Sequence, residues 1–282
     1  MLRSSAQEPV EARDPRPFLK WVGGKRQIID ALMAAVPRGL DKHTYHEPFV
    51  GGGALFFALQ PKRARLSDNN LRLVRTYRGV RDRVDVLIEL LRGYASKHSP
   101  EFFQKMREED VDARRDDARV AAWMIYLNKT AYNGLYRVNS RNIFNVPFGR
   151  YAKPSILDEP NLRACSRALQ NVEIEHRDFG TILEVASKGD FAYFDPPYVP
   201  LSATSYFTGY TADGFAPEDQ VRLRDVALAL KKKGVRVLLS NSGAGFVREI
   251  YANDFELEPI QASRQVNCKA SGRGKITELI IR

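Results

Sequence analysis

Four consecutive residues, Asp195-Pro196-Pro197-Tyr198, directly follow the apolar segment FAYF. A carboxylate, together with a carbonyl held rigid by prolines, can accept the two hydrogens of an aromatic amine and free its lone pair for attack on an electrophilic methyl group. Tyr198 offers a flat face on which an extruded base can stack. The alternative is a strand that ends in a proline turn with a solvated aspartate. The tetrapeptide predicts methyl transfer to an exocyclic amine, with Asp195, Pro196 and Tyr198 as catalytic residues.

The first residue of this tetrapeptide bears on which amine is methylated. Aspartate favours N6 of adenine, whereas serine there would favour N4 of cytosine, the nearest alternative. Neither cysteine, Cys165 or Cys268, follows a proline, so a covalent mechanism at C5 of cytosine lacks its nucleophile. Another alternative is a DNA-binding protein that has kept the fold and lost catalysis, but the intact acid, prolines and tyrosine argue against it.

A glycine-rich segment, Glu47-Pro48-Phe49-Val50-Gly51-Gly52-Gly53, is predicted to join a strand to a helix. Small residues at such a junction let a cofactor approach the backbone at the helix N-terminus. Asp68, at the end of the next predicted strand, is placed to accept ribose hydroxyls. A dinucleotide fingerprint would need Gly or Ala at position 56, where Phe56 stands, which disfavours a nicotinamide-dependent oxidoreductase. A plain glycine turn is the remaining alternative.

A second glycine pair occurs in Lys20-Trp21-Val22-Gly23-Gly24-Lys25. A phosphate-binding loop is excluded because Arg26 replaces the required Ser or Thr and the leading glycine is missing. Trp21 can cover an adenosyl group, and Lys25 can meet the carboxylate of a methionine moiety. A core tryptophan and a surface lysine are the alternatives for these two residues.

The net charge is +10, from 44 Lys and Arg against 34 Asp and Glu. Residues 128–157 contain neither Asp nor Glu, and their basic residues alternate with aromatic ones. Such a composition is typical of a loop that reads nucleic acid. Within it Arg137 is a natural bidentate partner for a guanine edge, and the apolar Leu135 and Pro147 are candidates for contact with a thymine methyl group. If Arg137 and Arg150 instead bound only phosphates, they would carry no sequence information.

The elements that must position these residues alternate at both ends of the chain. Helical spacing is predicted at 25–36, from 54, almost continuously over 70–127 with a break near 97–100, and at 217–233. Strands are predicted at 43–50, 63–68, 172–174, 191–194 and 235–240, with an edge strand at 276–281, and a loop-rich stretch extends to about residue 160. This order predicts an α/β sheet interrupted by a mainly helical insert.

Taken together, these motifs resemble the Dam family of DNA adenine-N6 methyltransferases over roughly residues 18–282. The resemblance is carried by FLKWVGGK (18–25), EPFVGGG (47–53), the strand end at Asp68, YNGLYR (132–137), FNVPFGRY (144–151), and DPPY with PLSAT (195–204). It departs from the family at Tyr136, where a smaller residue is usual, and in the helices over 78–127. These departures concern flanking-sequence preference more than chemistry.

The resemblance implies a Rossmann-like methyltransferase domain that binds S-adenosylmethionine and flips its target base in GATC. The implied cofactor residues are Trp21, Lys25, Phe49, Asp68, Asp178, Phe179 and Asp195. The implied DNA-binding residues are Lys20, Tyr132, Asn133, Leu135, Arg137, Pro147 and Arg150.

The expected organisation is a disordered lead-in over 1–17, a catalytic domain over 18–72 and 158–282, and a target-recognition domain over 73–157. No apolar run approaches 18 residues and no signal peptide is visible, so neither a membrane span nor secretion is expected. The scattered histidines predict no metal site. We expect a cytoplasmic, nucleoid-associated protein, monomeric in solution, whose partner is double-stranded DNA.

Overall fold

The structure, a computed structural model, describes residues 14–198, 215–263 and 275–282. Its strands are β1 Tyr45–Glu47, β2 Ala64–Asp68, β3 Val172–His176, β4 Phe191–Phe194, β5 Arg236–Ser242, β6 Leu257–Ser263 and β7 Lys275–Ile281. These form one sheet in the order β3-β2-β1-β4-β5-β7-β6. The first five strands in that order are parallel, and β7 runs antiparallel to both of its neighbours.

Helices cover both faces of this sheet. They are α1 Ile29–Ala35, α2 Ala54–Leu59, α3 Leu71–Asp82, α4 Val84–Ser96, α5 Pro100–Glu108, α6 Asp117–Thr130, α7 Glu159–Leu169, α8 Ile182–Val185, α9 Pro217–Lys232 and α10 Gly245–Tyr251. Side chains of β4 alternate between the faces: Phe191 and Tyr193 join the core under α1 to α7, and Ala192 and Phe194 join the core under α8 to α10. The predicted Rossmann-like α/β fold is confirmed.

The neighbouring strands β1 and β4 form the topological switch point of the sheet. From β1 the sheet extends through β2 to β3, and from β4 it extends through β5 in the opposite direction. The two strands are in parallel register, with Tyr45 opposite Phe191 and His46 opposite Ala192. Their carboxyl ends therefore border one crevice, which is where open α/β sheets bind ligands.

The strands predicted at 43–50, 63–68, 172–174, 191–194 and 235–240 are confirmed as β1 to β5, and the helices predicted from 54 and at 217–233 are confirmed as α2 and α9. The helix predicted at 25–36 is divided into a 3-10 turn at Lys25–Gln27 and α1, and the stretch predicted over 70–127 contains α3 to α6 with an additional break between Glu108 and Asp117.

The C-terminal end of the sheet differs from the prediction. The strand predicted at 276–281 is confirmed as β7, but its predicted position at the edge of the sheet is wrong, because β7 lies between β5 and β6. β6 escapes sequence prediction because Pro259 and charged neighbours interrupt its apolar pattern. Proline is tolerated there because an edge strand is hydrogen-bonded on one side only. α7, α8 and α10 are also unpredicted.

The helical insert between β2 and β3 is held together by α6. Every residue of α6 from Val120 to Asn128 is buried, since α3, α4 and α5 pack around it. The predicted break before residue 100 is confirmed: the Ser99 side chain accepts a hydrogen bond from Phe102 N at 3.0 Å and caps α5, which begins at Pro100.

Helix α3 lies in the insert and also makes hydrogen bonds to the edge strand of the sheet. Arg78 and Arg81 donate hydrogen bonds of 2.7 Å to the carbonyl oxygens of Ile174 and Val172 on the edge strand β3. These guanidinium groups satisfy acceptors that an edge strand otherwise presents to other chains. Because α3 begins at Leu71, the domain boundary expected after residue 72 falls inside its first turn.

The expected lead-in over 1–17 lies mostly outside the described residues. Its last residues are attached to α7: Arg16 N donates to Asn161 Oδ1 at 3.0 Å, and Asn161 Nδ2 donates to Arg16 O at 2.9 Å. Asn161 is buried, so this reciprocal pair anchors the chain just before the segment that carries Trp21 and Lys25.

The α3–α6 crossing gives a stability prediction. At Gly79 of α3 an added Cβ would lie 2.5 Å from Asp117 O and 2.9 Å from Ala121 Cβ, both on α6. We expect Gly79→Ala to lower the free energy of unfolding by about 1–3 kcal/mol through overpacking, although alanine is the better helix former. Denaturant titration of the purified protein measures this.

The matched control is Gly93→Ala in α4, where an added Cβ meets no atom within 4 Å. Here the helix propensity acts alone, and we expect stability to rise by up to about 1 kcal/mol. Equal changes in both variants would contradict the close α3–α6 approach.

Candidate active site

Asp195 occupies the centre of the crevice, at the first position after the buried strand β4. Lys25 Nζ lies 2.7 Å from its Oδ1 atom, and the two side chains are 4% and 21% exposed. Lys25 Nζ also lies 4.5 Å from the centre of the Tyr198 ring. The alternatives of a surface lysine and a solvated aspartate are therefore wrong, since the two residues form a largely buried ion pair.

Residues of β5 and α9 hold the loop that contains Asp195. Ser240 Oγ donates to Asp195 Oδ1 at 2.9 Å. The Pro197 carbonyl accepts a hydrogen bond of 2.9 Å from Gln220 Nε2, and Gln220 Oε1 in turn accepts one of 3.0 Å from Asn241. No donor among the described residues binds the carbonyl of Pro196. One carbonyl of the proline pair is thus fixed by the protein while its neighbour stays available.

Tyr198 is fixed by its hydroxyl group, which donates to Glu278 Oε2 on β7 at 2.8 Å. The phenol oxygen is thereby tied to β7, the second strand from one edge of the sheet, while the ring borders Lys25. Burial raises the pKa of Tyr198 well above its usual value, so the tyrosine stays neutral.

Carboxyl groups outnumber cations at this crevice. Glu47, at the end of β1, is buried and accepts a hydrogen bond from Tyr45 OH at 2.8 Å. Burial raises the pKa of Glu47 to about 8, that of Asp68 to about 6, and also raises the pKa of Asp195, against the opposing effect of Lys25. The electrostatics therefore suit a ligand that brings positive charge.

The glycine-rich loop after β1 is shaped by close contact with Trp21. Gly51 has a φ of +46°, and a Cβ added there would lie 2.8 Å from Cδ1 of Trp21. Gly51 N donates to Asp68 Oδ2 at 3.2 Å, which ties the loop to the end of β2. Trp21 is half-buried against this loop, so the alternative of a core tryptophan is wrong. The loop, Asp68 and Trp21 together form one wall of the crevice.

Aromatic rings form the other wall. Phe49 and Phe179 stack with ring centres 5.3 Å apart. Asp178, after β3, receives two hydrogen bonds from the guanidinium group of Arg222 on α9, one of them 3.0 Å long. The same guanidinium lies 4.3 Å from the centre of the Phe179 ring. Arg222 therefore fixes Asp178 and Phe179 together.

The basic stretch after α6 folds into an irregular hairpin, which we call the basic hairpin (residues 131–148). Isolated bridges pair Ala131 with Phe148 and Val138 with Phe144. Tyr132 N donates to the Pro147 carbonyl at 2.8 Å. Arg137 Nε donates to Asn145 Oδ1 at 2.7 Å, and its side chain is exposed. The hairpin thus holds the exposed side chain of Arg137 against Asn145.

One buried amide connects the basic hairpin to the segment that carries Lys20 and Trp21. Asn128, near the end of α6, accepts a hydrogen bond from Lys20 N and donates to the carbonyl oxygens of Lys20 and Gly134, each at 2.8 Å. Nearby, the rings of Trp21 and Tyr136 stack with centres 5.5 Å apart and planes 20° apart. The crevice and the hairpin therefore share a wall.

Comparison with known proteins agrees with this geometry. A model of the D12 class of N6 adenine-specific DNA methyltransferases matches residues 21–266. The chain belongs to this family. It is 46% identical over 271 residues to the type II methyltransferase M1.LlaDCHI of Lactococcus lactis subsp. cremoris, covering 94% of each chain.

More distant relatives are covered almost completely as well. The type II methyltransferase M.MjaIII of Methanocaldococcus jannaschii is 42% identical, with 94% of this chain and 98% of the relative aligned. The DNA adenine methylase of Escherichia coli K12 is 34% identical, with 94% of both aligned. The resemblance expected from the motifs is confirmed, and the protein is an adenine-specific DNA methyltransferase.

Most of the predicted site residues of this methyltransferase border the crevice or the basic hairpin. Sequence reasoning missed the residues that hold them: Asn128, Gln220, Arg222, Ser240 and Glu278. Ser240 carried a usable signal, because a polar residue at the carboxyl end of a predicted parallel strand points to a site. The others come from elements distant in sequence and had none.

Two absences apply to residues 14–198, 215–263 and 275–282 only. No group of three or more His, Cys, Asp or Glu side chains is arranged to hold a metal ion. None of the helices combines the length and apolar character needed to cross a membrane.

Buried Glu47 gives a prediction about pH. Its pKa is raised from 4.5 to about 8 in the folded protein, so ionisation favours the unfolded chain between these values. The contribution of protonated Glu47 to the free energy of unfolding is fully present below the lower pKa. It is lost as the pH rises through the upper pKa, by at most about 1.4 kcal/mol per pH unit. We expect Glu47→Gln, which keeps an acceptor for Tyr45, to flatten the fall in unfolding free energy between pH 5 and 8.

Denaturant titrations at half-unit pH steps, without ligand, measure the difference between the two curves. Glu184→Gln, at an exposed position of α8, is the matched control and is expected to leave the curve unchanged. Parallel curves for the wild type and Glu47→Gln would show that Glu47 ionises normally.

Proposed function

We propose that this methyltransferase transfers the methyl group of S-adenosylmethionine to N6 of adenine in double-stranded DNA, at GATC sites, on a base flipped out of the helix. The observation that carries the proposal is the arrangement at the end of β4. There Asp195 is paired with a buried lysine. Beside it lie the carbonyl of Pro196, which no donor among the described residues binds, and the ring of Tyr198.

The crevice fits S-adenosylmethionine in charge and in shape. When bound, this cofactor supplies an electrophilic methyl group on a positively charged sulfonium. Lys25 balances the charge of Asp195, and burial raises the pKa values of Glu47 to about 8 and of Asp68 to about 6. A cationic ligand would be favoured because it stabilises the ionised form of these carboxyl groups. A Cβ at the left-handed Gly51 would collide with Trp21, so glycine at this position lets the loop and the indole pack closely beside the proposed cofactor site.

The remaining proposed cofactor residues follow from the walls of the crevice. Asp68 accepts hydroxyl groups of the ribose, and Phe49 and Phe179 contribute flat apolar surface for the adenine ring. Asp178, fixed by Arg222, accepts a hydrogen bond from the cofactor.

In this mechanism the chain acts on the amine through acceptors. The Asp195 carboxylate accepts a hydrogen bond from one N6–H group and the Pro196 carbonyl accepts one from the other, which withdraws the nitrogen lone pair from the ring and directs it at the methyl carbon. The N6–C bond would form as the bond between that carbon and the sulfonium sulfur breaks, and N6 would then release one proton to water. Tyr198, held through its hydroxyl by Glu278, stacks on the flipped base. A base within a duplex cannot reach this crevice, which is why flipping is part of the proposal.

Residues 73–157 are proposed to recognise the target through the basic hairpin. Arg137 reads a guanine edge from its support on Asn145, while the apolar Leu135 and Pro147 contact bases. Further DNA contacts are assigned to Lys20, Tyr132, Asn133 and Arg150.

Removal of the Asp195 carboxylate is expected to abolish methyl transfer. Loss of an acceptor aimed at the transition state costs about 3–4 kcal/mol, or a rate decrease of about 100- to 1,000-fold. Because Asp195→Ala leaves Lys25 unpaired, Asp195→Asn is tested beside it to preserve the shape of the site. Single-turnover transfer of labelled methyl to a duplex with one adenine target measures the rate, and circular dichroism checks the fold.

A duplex carrying N6-methyladenine at the target is the substrate control, and it should accept no label. Near-normal single-turnover rates in folded Asp195→Ala would refute the catalytic assignment.

Substitutions of Arg137 and Arg150 distinguish base reading from phosphate binding. We expect Arg137→Ala to relax the requirement for the first guanine of GATC, a discrimination worth about 1–3 kcal/mol. Arg150→Ala should weaken all DNA alike and reduce the slope of log affinity against log salt by about one. Methylation rates on duplexes with each base substituted measure the first effect, and DNA-binding affinities at several salt concentrations measure the second.

A uniform loss of affinity in Arg137→Ala, with the GATC preference intact, would assign this residue to phosphate instead. Wild-type methylation of adenines outside GATC would refute the site while leaving the amine chemistry standing.

A further inference from the structure

Both protein groups that bind the Asp195 carboxylate share one of its oxygens. Lys25 Nζ lies 2.7 Å from Oδ1, and Ser240 Oγ donates to the same atom at 2.9 Å. A carboxylate oxygen offers about two acceptor sites, so these partners fill Oδ1. No donor among the described residues binds Oδ2, and the side chain keeps 21% of its surface exposed.

The contact from Ser240 is part of a directed chain of hydroxyl groups. Tyr193 OH lies 2.8 Å from Ser240 Oγ, and these residues are 1% and 0% exposed. The serine hydroxyl has one proton, and an ionised carboxylate can only accept. The proton of Ser240 therefore points to Asp195, which makes Tyr193 the donor to Ser240.

We propose that Ser240 and Tyr193 are positioning residues: with Lys25 they hold Asp195 through Oδ1, so that Oδ2 is presented to the amine hydrogen of the target base. This rests on the proposed role of Asp195 as the acceptor of that hydrogen. Neither hydroxyl touches the base; Ser240 acts through Asp195, and Tyr193 acts through Ser240.

This arrangement gives the carboxylate one orientation and favours its ionised form. A carboxyl group anchored at a single oxygen by donors from two elements cannot exchange its oxygens without breaking both contacts. Burial raises the pKa of Asp195, and the hydrogen bonds from Lys25 and Ser240 oppose that rise. The ionisable groups facing this carboxyl are Lys25, Tyr45, Glu47, Tyr193 and Tyr198.

The test is the single-turnover rate of methyl transfer as a function of pH. Ser240→Ala removes a hydrogen bond to a charged group, and we expect the plateau rate to fall by about 10- to 100-fold. Because the lost donor favoured the ionised carboxylate, we also expect the acidic limb to move to higher pH by about one unit. A residue with a merely structural role would not move this limb.

Three further variants locate the effect. Ser242→Ala is the matched control, since Ser242 lies two residues along β5 and its buried Oγ has no hydrogen-bond partner among the described residues; it should leave the rate and the limb unchanged. Tyr193→Phe should slow the reaction less than Ser240→Ala. The double variant should match Ser240→Ala, because the tyrosine acts only through the serine.

The double variant also guards against a folding defect. It leaves no buried Tyr193 hydroxyl without an acceptor, a loss that could destabilise Ser240→Ala, and thermal unfolding shows whether each variant is folded. If folded Ser240→Ala or the folded double variant kept the wild-type rate, and the acidic limb of its pH profile did not move, while Asp195→Asn was inactive, the positioning roles alone would be overturned. A wild-type rate in Asp195→Asn would overturn both these roles and the proposed function.

Discussion

The arrangement of the site depends on the buried ion pair between Lys25 and Asp195. Lys25 comes from the segment before α1, whereas Asp195 ends β4, so the contact of 2.7 Å fixes that segment over the switch point of the sheet. A buried charge left without its partner is strongly destabilising, commonly by about 3–5 kcal/mol. The segment also contains Lys20 and Trp21, so the position of the crevice wall follows from the pairing of one lysine with the proposed catalytic acid.

The same pair leaves the crevice short of positive charge. Glu47 and Asp68 are neutral over part of the physiological pH range because burial raises their pKa values to about 8 and about 6. A protein that only needed stability would fill this space with apolar groups, since burying carboxyl groups without cations is unfavourable. Such a cost is typical of sites arranged for a ligand, and the positively charged methyl donor proposed above would relieve it.

The sequence was informative where a local pattern decides the structure. The apolar run FAYF, the glycines after β1 and the serine cap before Pro100 each act within a few residues, and these elements were predicted. The order of β6 and β7 was not, because pairing between distant strands decides it and Pro259 interrupts the pattern of the outer strand. The same reason applies to the site: Asp195 is visible in the sequence, but Glu278 and Arg222 approach their partners only through the tertiary fold.

Recognition and chemistry are joined at a few contacts. Asn128 bonds the backbone on both sides of the junction, at Lys20 and at Gly134, so a shift of the basic hairpin is transmitted to the segment that carries Trp21. Tyr136, one of the positions at which the sequence departs from the expected family pattern, stacks on Trp21, a contact that a small side chain cannot supply. The departure from the family pattern therefore falls on the contact between hairpin and crevice wall. Because Trp21 also packs on Gly51, one tryptophan contacts both the basic hairpin and the glycine-rich loop.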